Sequence, residues 1–79
     1  MEKVYVDVDY QVLSDGGLKP VRIYWADGRA FDVRKTLNLC TSEGDFEGIR
    51  YTVLIGSAEK YLYRIGGKWY VEPSRTVKK

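Results

Sequence analysis

Two carboxylates, Asp7 and Asp9, stand two residues apart in the run Val4-Tyr5-Val6-Asp7-Val8-Asp9. On an extended strand that spacing sets them on one face about 7 Å apart, which suits a shared cation or an acid/base pair. Nothing completes such a site, because the chain has no histidine and no glycine-rich calcium loop around these aspartates. A solvated strand face accounts for them. The acidic segment Glu43, Asp45 and Glu47 lacks the ligand spacing of an EF-hand and reads as a hydrophilic loop. The one cysteine, Cys40, has no histidine to activate it and no second thiol to pair with. Covalent catalysis, a Cys/His metal cluster and an internal disulfide therefore have no foothold. Gly16-Gly17 and Gly66-Gly67 precede or join strands and do not open a helix, so turn chemistry explains them better than phosphate binding. These residues predict a protein that is not an enzyme and needs no cofactor.

The chemistry left to the chain is recognition. Seven tyrosines and two tryptophans occur among 79 residues. Rings that face away from a core beside arginine or lysine can stack on bases while the cations neutralise phosphates, as in barrels that hold single strands. The candidate surface comprises Arg22, Tyr24, Arg29, Tyr61, Tyr63, Arg64, Lys68 and Tyr70. A bland reading competes with it, since tyrosine is a favoured strand residue whose cross-strand pairs stabilise sheets. Charge is asymmetric along the chain. Residues 1–48 carry 6 basic and 9 acidic side chains (net −3), and residues 49–79 carry 7 basic and 2 acidic (net +5). Such asymmetry can mark a polyanion-facing side, to which Arg75, Lys78 and Lys79 would add phosphate contacts.

A chain of 79 residues with 44% hydrophobic and 30% charged residues forms one domain, too small for two cores or a deep polar pocket. No apolar run approaches 18 residues, and the first nine residues include the acidic Glu2, Asp7 and Asp9 where a signal peptide needs an apolar stretch. A cytoplasmic protein with no membrane contact is expected. The domain is assigned to residues 1–73, with residues 74–79 a basic tail.

The elements that must position these side chains are strands. Tyr, Val, Ile and Trp alternate in short runs broken by Gly, Asp and Pro, and no window keeps a helical period. In the first run Val4, Val6, Val8, Tyr10 and Val12 share one face, predicted to be core. The second run, Val21 to Trp25, joins the third through Ala26-Asp27-Gly28. A three-residue turn with Gly28 left-handed pairs Ile23 with Phe31 and Val21 with Val33, and only this register keeps the apolar sets together. Lys35 interrupts the apolar face of Phe31, Val33, Leu37 and Leu39, which predicts a bulge or bend near Arg34-Lys35-Thr36. Thr41 to Gly48 is the longest loop, with Phe46 alone in it, and Ile49 to Ile55 is a strand buried on one face and partly covered on the other. Gly66-Gly67 predicts a tight hairpin pairing Leu62 with Val71, Tyr63 with Tyr70 and Arg64 with Trp69. Leu62, Trp69 and Val71 then face the core, and Tyr61, Tyr63 and Tyr70 face away. The whole predicts an all-β fold, an SH3-like barrel of five or six short, strongly bent antiparallel strands, with an OB-like barrel or an open meander as the alternative.

The pattern Pro20-x-x-Ile23-x-Trp25-x-Asp27-Gly28-Arg29, then Arg50-Tyr51-Thr52-Val53, then Leu62 and Gly67-x-Trp69-x-Val71-Glu72, resembles small uncharacterised bacterial domains of unknown function. These are found attached to, or encoded beside, Y-family translesion DNA polymerases. The resemblance runs from about Val4 to Glu72 and implies an accessory role near DNA, with no catalytic residues to carry over. The Ala-Leu-Tyr-Asp-Tyr motif of SH3 peptide binders has no counterpart here, against recognition of proline-rich peptides. The expected function is a non-enzymatic interaction module whose Tyr/Arg surface contacts single-stranded nucleic acid or a nucleic-acid enzyme. The rival is a protein-binding adaptor or oligomerisation unit without nucleic acid, and an open strand edge would allow a homodimer.

Overall fold

The computed structural model describes residues 3–72, so the basic cluster Arg75, Lys78 and Lys79 lies outside the described residues. The fold is all-β. Seven strands, β1 (Val4–Val12), β2 (Leu18–Tyr24), β3 (Ala30–Asp32), β4 (Lys35–Ser42), β5 (Gly48–Ile55), β6 (Ala58–Ile65) and β7 (Lys68–Val71), form one antiparallel sheet in the order β3-β2-β1-β7-β6-β5-β4. Five or six strands become seven because the third apolar run divides at Val33-Arg34, next to the bend that Lys35 predicted.

That division ties the two edges of the sheet together. β3 and β4 lie at opposite ends of the strand order yet follow one another in the chain. The Val33 N–H donates to the Val21 carbonyl beside β3, at 2.9 Å, and the next amide, Arg34 N–H, donates to the Leu54 carbonyl on β5, at 2.8 Å. The sheet therefore curls into a half-barrel held at one point, and among the described residues the rest of β4 is unpaired on its outer side. A second register shift between Thr36 and Asn38, a bulge at Leu37, lets Lys35 pair with Leu54 and point outward while Leu39 pairs with Tyr51 on the core side.

β1 is the strand about which the two halves turn. Its first residues, Val4 to Val6, pair with β7, and Asp7 to Val12 pair with β2. The concave side holds the core, Val6, Ile23, Tyr51, Val53, Leu62, Trp69 and Val71, all buried, with Val4, Val8, Trp25 and Val33 packed at its margin. Tyr10 and Val12 depart from expectation: they are 45% and 70% exposed. A register shift after Asp9, and the lack of any β7 partner beyond Val6, carry this hairpin to the margin of the core, where the Tyr10 ring still lies 5.7 Å from that of Trp69.

The hairpins follow the sequence closely. Leu62 pairs with Val71, Tyr63 with Tyr70 and Arg64 with Trp69, and Ile23 pairs with Phe31. Gly28 has φ +96°, as the three-residue turn requires.

Candidate interaction surface

The predicted residues fall in three separate places. Arg22 and Tyr24 occupy the outer face of β2. There Arg22 pairs with Asp32 at 3.2 Å and lies 5.8 Å from the Tyr24 ring, and the Tyr24 hydroxyl donates to Asp9 at 2.6 Å. That hydrogen bond, ahead of desolvation, raises the Tyr24 phenol above its usual range. Asp9 is thereby engaged by a phenol. Arg29, in the turn after β2, is held by Asp27 at 2.7 Å, and the Arg29 backbone N–H does most to lower the Asp27 carboxyl. Both arginines thus spend their charge on neighbouring carboxylates.

Tyr61, Tyr63, Tyr70 and Lys68 share the outer face of β6 and β7, as the hairpin register predicted, but this face is not open. Tyr63 and Tyr70 are 2% and 0% exposed, which corrects the expected row of exposed tyrosines. The cause is the loop between β4 and β5. Phe46 lies over both rings, at 5.6 Å from Tyr63 and 6.2 Å from Tyr70, and the two tyrosines stack on one another at 5.1 Å with planes 10° apart. Ser42 donates to the Phe46 carbonyl at 2.7 Å, the Tyr70 hydroxyl donates to the Glu47 carbonyl, and the Tyr63 hydroxyl donates to Glu72 at 2.6 Å. Desolvation is the main reason that both phenols are raised above the usual tyrosine range. The sheet thus has a small aromatic core on its outer side. Its signal in the sequence was Phe46, the one large apolar residue in a polar loop. At the end of that loop Gly48 adopts φ +118°, and a side chain there would collide with the Arg64 carbonyl oxygen.

Tyr61 remains 44% exposed with the Arg50 guanidinium 4.3 Å from its ring centre. Lys68 lies 5.9 Å from the ring of Tyr5, which is itself exposed. Arg64 faces the other way, against Trp69 at 5.8 Å on the concave side. Arg22 and Tyr24 on β2 lie two strands away from Tyr70 on β7, with Tyr5 of β1 against the Tyr70 ring between them at 5.8 Å.

Two other features remain. A cleft of 540 Å³ opens on the concave side between β2 and β5-β6, with Ile23, Trp25, Val53 and Ile55 against Glu59 and Lys60. Its charged lining is Glu59, Lys60 and Glu72, the last already accepting a hydrogen bond from Tyr63. The second feature is β4, whose place at the sheet edge has no signal in the sequence pattern. It is an outermost strand, and from Thr36 to Ser42 it has no charged residue and no proline. Leu37 and Leu39 are 43% and 49% exposed, and Ile49 on β5, which pairs with Thr41 and so lies diagonal to Leu39, is 40% exposed. The other edge is built differently: β3 has only three residues, carries Asp32 and is followed by Arg34 within two residues. Short, charged edges resist strand addition, and long uncharged ones invite it.

Among the described residues no three Cys, Asp or Glu side chains gather as metal ligands, and no helix is long and apolar enough to cross a membrane. The fold and surface define the class as a small all-β domain with one long, uncharged sheet edge, interrupted by the bulge at Leu37. Set against known family models, curated proteins and solved structures, the chain matches none, so nothing links it to the polymerase-associated domains that it resembles in short motifs.

Proposed function

We propose that the protein is a non-enzymatic interaction module that binds a protein partner by accepting an extended segment along the outer edge of β4. The single observation that carries this reading is the contrast between the two edges. β3 is short and charged, whereas β4 leaves seven successive residues, Thr36 to Ser42, without charge or proline and two leucines exposed. A partner strand would gain main-chain hydrogen bonds along this edge and bury Leu37 and Leu39, the combination that peptide-binding sheets use. Recognition of this kind needs no cofactor.

The nucleic-acid reading has less support: of its four rings, Tyr63 and Tyr70 lie under Phe46 while Tyr24 and Tyr61 remain exposed, and two of its cations, Arg22 and Arg29, are paired with Asp32 and Asp27.

The test is selection of random peptides displayed on phage against the immobilised protein. Enriched peptides should alternate apolar and polar residues and lose binding to a Leu39→Lys variant. Enrichment of peptides indifferent to Leu39→Lys, or no enrichment together with saturable, salt-sensitive binding of single-stranded DNA, would overturn the reading.

A further inference from the structure

We infer that the occupant of the β4 edge is a second copy of this chain, related by a two-fold axis, with the two β4 strands antiparallel. This inference rests on the edge-binding reading above and names the partner. Charge at the two ends of the strand selects it. β4 begins next to two cations, Arg34 and Lys35, and runs into the acidic loop that carries Glu43 and Asp45. Among the described residues Lys35, Glu43 and Asp45 form no ion pair. Antiparallel pairing of β4 with itself lays the cationic start of each strand against the acidic end of the other, twice by symmetry. A parallel pairing would set Lys35 beside Lys35 and Glu43 beside Glu43.

The apolar faces agree as well, while Lys35 lies on the outer face, where the bulge at Leu37 turns it. A two-fold axis perpendicular to the sheet keeps the concave side of both copies together, so Leu39 and Ile49 of one copy continue the apolar strip of the other. The uncharged middle, Thr36 to Ser42, puts no like charges opposite one another. An eight-residue strand buries less than a standard interface, so the dimer is expected to be concentration-dependent.

Sedimentation equilibrium of the full chain over a wide concentration range reads this directly, with circular dichroism to confirm that each variant is folded. The parent should dimerise reversibly. Lys35→Glu and Glu43→Lys should each weaken self-association roughly tenfold, because each replaces two attractive contacts by repulsive ones. An equimolar mixture of the two variants should recover the parent's association, since each then meets the opposite charge. Leu39→Lys should leave the chain folded and monomeric. A parent that stays monomeric at millimolar concentration, or single variants that self-associate as tightly as the parent, would overturn the inference. If the parent is monomeric while selected peptides still require Leu39, the edge binds a foreign strand, and only the identity of the partner falls.

Discussion

The ring of Phe46 lies over that of Tyr63 with centroids 5.6 Å apart and planes inclined by 30°. A loop of acidic and glycine residues thus delivers one apolar side chain to the outer face of the sheet, and the two tyrosines that looked like a binding surface become interior. The sheet is packed on both sides, by Tyr51, Leu62 and Trp69 on the concave face and by Phe46, Tyr63 and Tyr70 on the other.

Removing the Phe46 ring should expose Tyr63 and Tyr70. We expect Phe46→Ala to cost about 2 kcal/mol, less than for a wholly buried phenylalanine because Phe46 is only half-buried. Urea unfolding measures the loss, and stability equal to the parent would show that the loop does not hold the stack.

Tyr70→Phe keeps the ring and deletes the hydroxyl that donates to the Glu47 carbonyl. The expected cost is about 1 kcal/mol, with faster amide exchange in the loop from Glu43 to Glu47. A loop whose exchange is unchanged would contradict its attachment through this phenol.

Alkaline pH should unfold the protein through these same rings. Burial raises Tyr51, Tyr63 and Tyr70 above the ordinary phenol range, so in this range the folded state holds protons that the unfolded state releases. Stability is therefore full below about pH 10 and falls as pH rises further, by up to about 1.4 kcal/mol per pH unit for each phenol still protonated in the fold. Absorbance titration should show late, cooperative ionisation, with a smaller amplitude in Tyr63→Phe. Ionisation of all the tyrosines in one step near pH 10, with no unfolding, would contradict the burial.

Two glycines of the same loop should respond differently. Gly48→Ala combines a left-handed φ of +118° with a collision against the Arg64 carbonyl, whereas Gly44→Ala at φ +92° meets open space. Gly44→Ala should cost about 1 kcal/mol and Gly48→Ala clearly more, measured by thermal unfolding. Equal losses would mean that β6 can yield at Arg64.

Local pairing was legible in the sequence, and long-range covering was not. Gly66-Gly67 and Asp27-Gly28 fix their hairpins because only one register aligns the apolar sets, and the structure has those pairs. Lys35 signalled the break that separates β3 from β4. Alternation also put Tyr63 and Tyr70 on the face away from the main core, but alternation says nothing of what lies over a face. That depended on where a loop well upstream in the chain, 17 residues before Tyr63 and 24 before Tyr70 at Phe46 (63 − 46 and 70 − 46), would fold, and Phe46 alone among polar neighbours was its trace. The open edge of β4 was equally hidden, since strand order decides which strand is outermost and residue pattern does not.

The central claim is that the outer edge of β4 is free to take a strand. Residue-resolved amide exchange by NMR, on dilute protein and then with a saturating selected peptide, tests it most directly. Alternate amides between Lys35 and Ser42 should exchange freely in the dilute protein and become protected with peptide, while β3 is unaffected. Protection of every β4 amide in the dilute protein, or peptide protection at sites other than β4, would contradict the account.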